Sequence, residues 1–453
     1  MPRIVIVGGG ISGLSLAYRL QQRQPTAEVV VLEREPHLGG KVGTLHRDGF
    51  RLETGPNGFL DTNSAALDLC RDLGLGDRLT AASEAAGRNR FLFLKGKLRP
   101  LPRGLWSFLT GDALGWRAKL GILTERFRRP RRDDADESID AFARRRAGSE
   151  IAETLADAFV TGIHAGDPTL LSMKAAFPRL AAMEREHGSV LKGMAAAGRK
   201  SRPRMWSFRE GLGLLIDALR ERLRTPPLSG VAVRSVRRSP DGGWEVRAEG
   251  RDAWMAEAVA LTCPAYQQAA LLADAELAAK IEGIAYNRVA VVGLGYRSAD
   301  MPMSVDGFGY LSPQRERRDV LGVQWCSSIF PDRAPSGMVL LRALCGGWNR
   351  AEIVDWDDDR LLTAVRAELA AAMGVRVAPA FHHIVRWDRA IPQYHVGHLE
   401  RVAWIEERTK RHPGLYLGGN AYRGVALNDC VEQAGVLAER MLRSAVESDP
   451  AMR

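Results

Sequence analysis

Three glycines in a G-x-G-x-x-G pattern, at Gly8, Gly10 and Gly13, constrain this chain more than any other feature. An apolar run over residues 4–7 predicts a short buried strand before them, and residues 12–24 have the spacing of an amphipathic helix. Gly8 permits a tight turn, Gly10 lets a phosphate approach the backbone, and Gly13 lets the helix pack closely on the strand. The pattern predicts a strand–turn–helix unit of the dinucleotide-binding kind.

A second apolar run, residues 29–32, ends in Glu33, where a carboxylate that binds the ribose of a dinucleotide is expected. The free N–H groups at the start of the helix suit a diphosphate. The alternative is an ordinary strand–turn–helix whose glycines serve packing alone. The residues predicted here to contact the cofactor are Gly8, Gly9, Gly10, Ile11, Ser12, Gly13, Glu33 and Arg34.

Paired glycines and a cation, Leu38-Gly39-Gly40-Lys41, follow closely. This stretch resembles the FAD fingerprint of the amine-oxidase and protoporphyrinogen-oxidase class of flavoproteins. The resemblance implies FAD rather than NAD as the cofactor, with Gly40 and Lys41 in contact with it. A plain surface turn is the alternative interpretation.

A second glycine-rich loop, Gly55-Pro56-Asn57-Gly58, comes after a predicted strand over residues 50–53. Taken alone, it is typical of a tight turn that closes a hairpin. The string G-P-N-G-F-L-D resembles the bacterial oxygen-dependent protoporphyrinogen oxidase family, in which this loop lies along the flavin. The resemblance implies FAD contacts at all four residues of the loop.

Size and cysteine content bound the class of protein. A chain of 453 residues with 45% apolar residues suits two or three domains with a large core. Five scattered cysteines argue against a disulfide framework or a zinc site and fit a reducing compartment. No run of 18 uncharged apolar residues is present, so no membrane span is predicted. Because a strand already begins near residue 4, we expect no signal peptide.

The net charge of +10 is local, because residues 86–132 alone carry a balance of +11. We therefore expect no nucleic-acid partner. Within residues 101–132, aromatic residues such as Trp106, Trp116 and Phe127 alternate with the basic ones. This pattern suits a helix that lies in a bilayer interface, and equally a helix packed on its own domain with a solvated basic face. The resemblance favours peripheral membrane attachment.

The resemblance also implies a tetrapyrrole site. In the family, an arginine that opens a hairpin holds a propionate of the substrate, and that position is Arg90. Without the resemblance, an arginine beside a strand is usually solvated. A G-x-x-A-G-D segment that begins at Gly162 interrupts a largely helical stretch, residues 137–177, and passes close to flavin and tetrapyrrole in the family. His164 in this segment is interpreted as structural. Apolar walls of the pocket are expected from Phe308, Leu311 and Phe330, which could equally be core residues of a sheet.

The remaining cofactor contacts lie far along the chain. A three-stranded meander is predicted over residues 231–261, and the resemblance implies that its Val233 lies against the adenine or ribose. Trp387 precedes the family string I-P-Q-Y-x-x-G-H, and Val425, Ala426 and Leu427 precede the last helix. Either Asn428 or Asp429 is expected to cap that helix.

The predicted fold class is α/β and α+β. It comprises a Rossmann-like FAD-binding domain, an interleaved mixed-sheet substrate domain and a helical membrane-associating insertion. We assign residues 1–85, 206–286 and 386–453 to the FAD-binding domain. Residues 86–205 form the helical, basic domain, and residues 287–385 form the substrate-binding domain.

The reaction implied by the resemblance is the FAD-dependent oxidation of protoporphyrinogen IX to protoporphyrin IX in haem biosynthesis, in three two-electron steps with O₂ as acceptor. No catalytic residue and no metal is assigned, because the flavin carries the electron chemistry. The first alternative is coproporphyrinogen III oxidation. Its substrate has four carboxylates, for which residues 55–63 offer no cation. Further alternatives are an amine oxidase, a carotenoid desaturase and a catalytically silent porphyrin-binding protein.

The expected location is the cytoplasm, peripherally at the inner face of the cell membrane. Hand-over of product to a ferrochelatase and a homodimer are the remaining partner hypotheses.

Overall fold

The structure is a computed structural model that describes residues 3–102, 104–131, 133–198 and 203–447. Two arginines of the basic stretch, Arg103 and Arg132, lie outside the described residues, as do parts of the predicted domain segments at residues 1–2, 199–202 and 448–453. The strands are β1 (Arg3–Val7), β2 (Glu28–Leu32), β3 (Thr44–Arg47), β4 (Phe50–Glu53), β5 (Phe59–Leu60), β6 (Leu79–Ala81), β7 (Arg90–Leu94), β8 (Lys97–Pro100), β9 (Met205–Phe208), β10 (Val233–Arg238), β11 (Trp244–Ala248), β12 (Trp254–Ala256), β13 (Ala258–Leu261), β14 (Arg288–Arg297), β15 (Gly309–Leu311), β16 (Val320–Trp325), β17 (Met338–Gly347), β18 (Phe381–Trp387) and β19 (Leu415–Leu417).

The helices begin directly after the first glycine turn and end near the last described residue. They are α1 (Ile11–Arg23), α2 (Ala65–Asp72), α3 (Glu84–Arg88), α4 (Leu105–Thr110), α5 (Trp116–Leu123), α6 (Ile139–Ala147), α7 (Ser149–Ile151), α8 (Asp157–His164), α9 (Met173–Ala176), α10 (Pro178–His187), α11 (Val190–Ala196), α12 (Gly213–Arg222), α13 (Ala265–Leu271), α14 (Ala275–Glu282), α15 (Cys326–Ile329), α16 (Asp358–Met373), α17 (His398–Thr409) and α18 (Leu427–Glu447).

A four-stranded parallel sheet, in the order β19-β13-β1-β2, joins three distant parts of the chain. Ile4 and Ile6 face a cluster that includes α1 and α18, whereas Val5 and Val7 face a cluster that includes the β10–β12 meander. Because both faces are buried, the strands have continuous apolar runs instead of alternation. The predicted β1–α1–β2 unit and the Rossmann-like class are confirmed.

The meander differs from the prediction at its third strand. The apolar run over residues 253–261 splits into β12, which completes the meander, and β13, which pairs in parallel with β1. Between the two strands, Glu257 N donates to the carbonyl of Arg3 at 3.0 Å. Hydrophobic pattern alone cannot show that one extended run serves two sheets.

A seven-stranded sheet, in the order β18-β14-β17-β16-β15-β7-β8, forms the second layer system. Its pairs are antiparallel except β15 with β7, which is parallel. One face packs on α16 through residues such as Tyr310, Val323 and Ala343. Successive side chains alternate between faces, so the neighbouring residues Leu311, Gln324 and Arg342 lie on the opposite face.

Residues 105–196 form the helical segment. The single basic helix expected within residues 101–132 is instead two short helices, α4 and α5, separated by a turn at residues 111–115. Arg146 of α6 is fully buried and donates to Glu125 through Nε at 2.7 Å and to Glu184 through Nη1 at 3.3 Å. This network ties α6 to α10.

The break predicted at residues 161–168 begins later than expected. A π-helical turn, Ala152–Ala156, joins α7 to α8, so that one continuous helix reaches His164. The helix ends at Ala165, whose φ is +44°. Gly162 therefore lies inside a helix and not in a loop. None of the helices in the described ranges is long and apolar enough to cross a membrane.

Candidate active site

The turn between β1 and α1 is closed by backbone contacts that only glycine permits. Gly8 has a φ of +116°, and its N–H donates to the carbonyl of Leu32 at 2.8 Å. A Cβ at Gly13 would lie 1.9 Å from the carbonyl oxygen of Gly8. No side chain caps the start of α1 at Gly10. The first amides of α1 are therefore available to an anionic group.

Glu33 lies where a ribose is expected. Its Oε2 accepts from Gly9 N at 2.6 Å, and its Oε1 accepts from Glu35 N at 2.8 Å. Val231 N donates to the carbonyl of Glu33 at 2.7 Å, which brings the segment before the half-buried Val233 to this edge. Arg34 is further out, paired with Glu35 at the surface.

The second pair of glycines packs on the first turn. Gly39 N donates to the carbonyl of Gly9 at 2.8 Å, and both Gly39 and Gly40 have positive φ, +102° and +59°. Lys41 follows with its ammonium 5.4 Å from the centre of the Tyr286 ring.

Lys41 has neither a hydrogen-bond partner nor an ion-pair partner for its ammonium among the residues that the structure describes. Burial lowers the pKa of Lys41 to about 8. A cation that is desolvated but lacks a counter-ion fits a site for an anionic ligand.

Residues 54–58 lie between the two large sheets. Trp387 Nε1 donates to the carbonyl of Thr54 at 2.8 Å, and a Cβ at Gly55 would lie 1.8 Å from the carbonyl oxygen of Lys41. Asn57 is buried, and its Nδ2 has no acceptor within the described part of the chain. Pro56 lies between these contacts, where its ring fixes its own φ. The loop thus offers an unpaired donor beside the Lys41 segment.

The start of α18 is capped from within. Ala426 N donates to Asp429 Oδ2 at 3.2 Å, as expected for Asp429. The alternative cap, Asn428, instead serves α2, because its Oδ1 accepts from Ala66 N at 2.8 Å. Val425 and Leu427 flank this cap at the end of the parallel sheet. Burial raises the pKa of Asp429.

The residues proposed for substrate come together on β7, β15 and the preceding loop. Arg90 pairs across the strands with Gly309, and its guanidinium lies 4.8 Å from the centre of the Phe308 ring. Phe330 is buried in the same apolar cluster as Phe308, so it supports the position of Phe308. A Cβ at Gly162 would lie 2.9 Å from Leu311 Cδ1, so α8 and β15 touch at this point.

Two apolar residues that the sequence analysis did not nominate, Phe159 and Ile163, flank Gly162 on α8 and are about half exposed. Their i, i+3 and i+4 spacing around a glycine would have been the available signal. His164 is buried, and burial lowers its pKa to about 4. It is therefore neutral at physiological pH.

The site residues fit FAD. The uncapped α1 terminus and the unpartnered Lys41 suit a diphosphate, Glu33 suits a ribose, and the unpaired amide of Asn57 suits a polar ring edge. At Gly10, a Cβ would meet nothing closer than 3.9 Å in the protein itself. The space beside Gly10 is therefore available to a ligand.

We expect Gly10→Val to fold normally but to bind FAD at least tenfold more weakly, because the side chain fills space that the diphosphate needs, while its Cβ meets no protein atom closer than 3.9 Å. FAD titration by fluorescence quenching, with thermal unfolding of the cofactor-free protein, checks both halves. Gly435→Val is the matched control, since a Cβ there also meets no atom within 4 Å. Native FAD affinity in Gly10→Val would contradict the assignment.

We expect FAD affinity to be highest below pH 8 and to fall as the pH rises from about 8 towards 10, because Lys41 loses its charge over that range in the cofactor-free protein. Lys41→Arg keeps its charge and should show a flat affinity over the same range. Affinities measured by equilibrium titration at several pH values decide the point. An equal decline in Lys41→Arg would show that another group is responsible.

Comparison with known proteins agrees with this geometry. The model of the family "Flavin containing amine oxidoreductase" matches residues 11–442. The chain is 33% identical to the chloroplastic protoporphyrinogen oxidase of Nicotiana tabacum over 96% of this chain and 85% of that one. It is also 33% identical to the coproporphyrinogen III oxidase of Propionibacterium freudenreichii subsp. freudenreichii, over 99% and 92%.

A solved structure from Exiguobacterium sp. 255-15 superposes with a TM-score of 0.85 at 29% identity, over 97% of this chain and 98% of that one. These findings confirm the predicted cofactor and enzyme class. The chain belongs to the flavin-containing amine oxidoreductase family, and it is an FAD-dependent oxidoreductase.

Proposed function

We propose that this enzyme oxidises protoporphyrinogen IX to protoporphyrin IX, in three successive two-electron steps with O₂ as the acceptor. Bound FAD supplies the electron chemistry by accepting hydride from the saturated bridges of the macrocycle. The protein's own contribution is to hold a flat apolar ring against the cofactor and to anchor its carboxylates. Relatives named for porphyrinogen oxidation support the substrate class.

The observation that carries the proposal is the sheet face opposite α16. Leu92, Leu311, Gly322 and Leu344 form one cross-strand row on this face. Two-residue alternation puts Gly309 on the same face. Two positions of this face, Gly309 and Gly322, therefore have no side chain. The result is an apolar face beside Arg90, on which Leu92 and Leu311 also pack against Ala158 of α8.

Arg90 lies at the rim of this face, at the start of β7. Its guanidinium stacks on Phe308, and its Nε donates to the carbonyl of Ala86 at 3.4 Å. A guanidinium in this position can bind a propionate through paired hydrogen bonds, each worth roughly 1.5–3 kcal/mol. Arg90 is therefore proposed as the carboxylate anchor, together with Gly162, Phe308, Leu311 and Phe330 as the residues around the ring.

The second candidate substrate is coproporphyrinogen III, because a coproporphyrinogen III oxidase is as similar to this chain as the tobacco protoporphyrinogen oxidase. A substrate with four carboxylates would need more cations in its site than a substrate with two carboxylates. Residues 55–63, beside the proposed flavin position, contain Asp61 and no cation. This composition favours the substrate with two carboxylates.

We expect the yellow protein to generate porphyrin fluorescence from protoporphyrinogen IX in air, with a higher kcat/KM than for coproporphyrinogen III. Arg90→Ala should raise KM about tenfold or more with a smaller change in kcat, and Arg90→Lys should be intermediate, because the anchor acts mainly in binding. Arg88→Ala, at a neighbouring residue that is paired with Glu84 on the surface, is the control. Flavin absorbance without any growth of porphyrin fluorescence would contradict the proposed function, and comparable rates on both porphyrinogens would contradict the substrate preference.

We propose in addition that the enzyme docks peripherally on an anionic membrane through an aromatic surface made of Trp106, Trp116 and Phe127. Their side chains are 78%, 69% and 74% exposed. Arg117 and Arg126 lie over Trp116 and Phe127, 5.5 and 4.7 Å from the ring centres. Exposed aromatic rings with adjacent cations suit the headgroup region. Hand-over to a ferrochelatase and a homodimer remain predictions.

We expect the protein to co-sediment with liposomes that contain anionic lipid at low salt, and less at high salt, because headgroup attraction is worth about 1 kcal/mol per nearby cation. Replacing all three residues of the aromatic surface by Ser should abolish binding. A double replacement of the exposed Met255 and Val436 by Ser, far from the aromatic surface in sequence, is the control. Protein that stays in the supernatant at both salt concentrations would contradict the proposal.

A further inference from the structure

A buried guanidinium lies directly beneath residues 54–58. Arg342 of β17 is 3% exposed. Its Nη1 donates to Gln324 Oε1 at 2.8 Å, and its Nη2 donates to the carbonyl of Gly55. Its Nε has no acceptor among the described residues. Arg342 thus holds the backbone of the proposed flavin loop and still has a donor unused.

The charge of Arg342 is only partly offset, through the Coulomb attraction of the buried carboxylate Glu53. Glu53 is itself paired with Arg333 at 2.7 Å and also accepts from Leu212 N and Thr44 Oγ1. We call Arg342, Arg333 and Glu53 the buried seam. No ion pair of Arg342 is present in the described part of the chain. The seam therefore contains two guanidinium groups and one carboxylate.

A buried cation that has no ion-pair partner of its own lowers the stability of the folded protein. A ligand with negative charge would offset this cost. Burial lowers the pKa of Arg342, yet a guanidinium remains charged at physiological pH. Other unpaired donors point the same way. Asn57 Nδ2 and Arg333 Nη1 also lack acceptors within the described residues. The seam beneath residues 54–58 is electropositive and has more donors than acceptors.

Reduction of the cofactor changes the charge next to this seam. Hydride transfer to a bound flavin would break one C–H bond of a saturated bridge carbon and would add two electrons and one proton, hence one negative charge, beside this seam. A pyrrole nitrogen of the substrate would release the balancing proton to solvent. A fixed cation nearby favours the reduced state by Coulomb attraction, which is strong where water is excluded.

We propose that Arg342 is a positioning residue that stabilises the negative charge of the reduced flavin through its own charge, while it holds the backbone of Gly55 in place beside the flavin. The ligand that completes the seam is then the reduced cofactor. This inference rests on the proposed position of the flavin against residues 55–58.

The experiment is a redox titration of the FAD-loaded protein against a reference dye, without porphyrinogen. Arg342→Gln keeps a donor for Gly55 but removes the charge, and should shift the ratio of reduced to oxidised flavin at a given potential at least tenfold toward the oxidised form. This shift corresponds to about 30 mV for a two-electron couple. Arg342→Lys keeps the charge and should stay within about threefold of the native protein. Sulfite affinity of the flavin, a second readout, should fall in Arg342→Gln and stay near the native value in Arg342→Lys.

Gln324→Glu is a second and independent variant, because it supplies a carboxylate beside an intact Arg342. It should shift the ratio in the same direction as Arg342→Gln, and it decides the question if Arg342→Gln does not fold. Arg386→Gln is the control. Arg386 is on the edge strand β18, and two-residue alternation puts it on the face of α16, where it is paired with Asp358 at 2.6 Å. The ratio of reduced to oxidised flavin should not change in Arg386→Gln.

Equal shifts in Arg342→Gln and Arg342→Lys would mean that the side chain only supports the loop, and would overturn the inference. An unchanged ratio in both Arg342→Gln and Gln324→Glu would also overturn it, while the porphyrinogen assay could still succeed. Conversely, normal flavin potentials with no porphyrin produced would count against the proposed function alone.

Discussion

The close approach of β1, α1 and β13 at the first glycine turn is the constraint on which the rest of the structure depends. A Cβ at Gly8 would lie 2.7 Å from Cys263 N, and Thr262 Oγ1 donates to the carbonyl of Gly8 at 3.0 Å. The turn is therefore held from the far side by a strand more than 250 residues away in sequence. A side chain at this glycine turn would push α1 away from the strands. The start of α1 would then move away from its ligand.

The second organising feature is the strip of chain between the two large sheets. Trp387 from β18 and Arg342 from β17 both donate to carbonyls of residues 54–55, and Cys326 Sγ donates to Asn57 Oδ1 at 3.8 Å. The seven-stranded sheet thus holds residues 54–55 through hydrogen bonds to their backbone carbonyls. The Nδ2 of Asn57, which has no acceptor among the described residues, stays available to a ligand. The same sheet presents Leu311 and Gly309 to the other side of the site, so a single layer can position both cofactor and substrate.

Local sequence predicted most of the first domain and little of how its parts meet. The β1–α1–β2 unit, the loop at residues 55–58 and the start of α18 were found because glycine spacing and apolar periodicity are local signals. The predicted break at residues 161–168 begins only at Ala165, since a glycine inside a helix looks like a breaker until its neighbour is known. At Gly162 that neighbour is Leu311, whose Cδ1 occupies the place of a side chain. Of the two caps expected for α18, Asp429 is the one in the structure, because the partner of Asn428 is on α2.

The amino-acid sequence by itself determined the glycine turn and the carboxylate of Glu33 directly after β2. Through the resemblance, it also determined the flavin cofactor. These features depend on residues that are close in the chain, where sterics and hydrogen bonding follow from spacing. Only the tertiary structure decided that β13 leaves the meander for the parallel sheet, that Arg90 stacks on Phe308, and that Arg342 donates to the carbonyl of Gly55. Each of these is a contact between distant segments, and its energy depends on burial and on partners that no local pattern encodes.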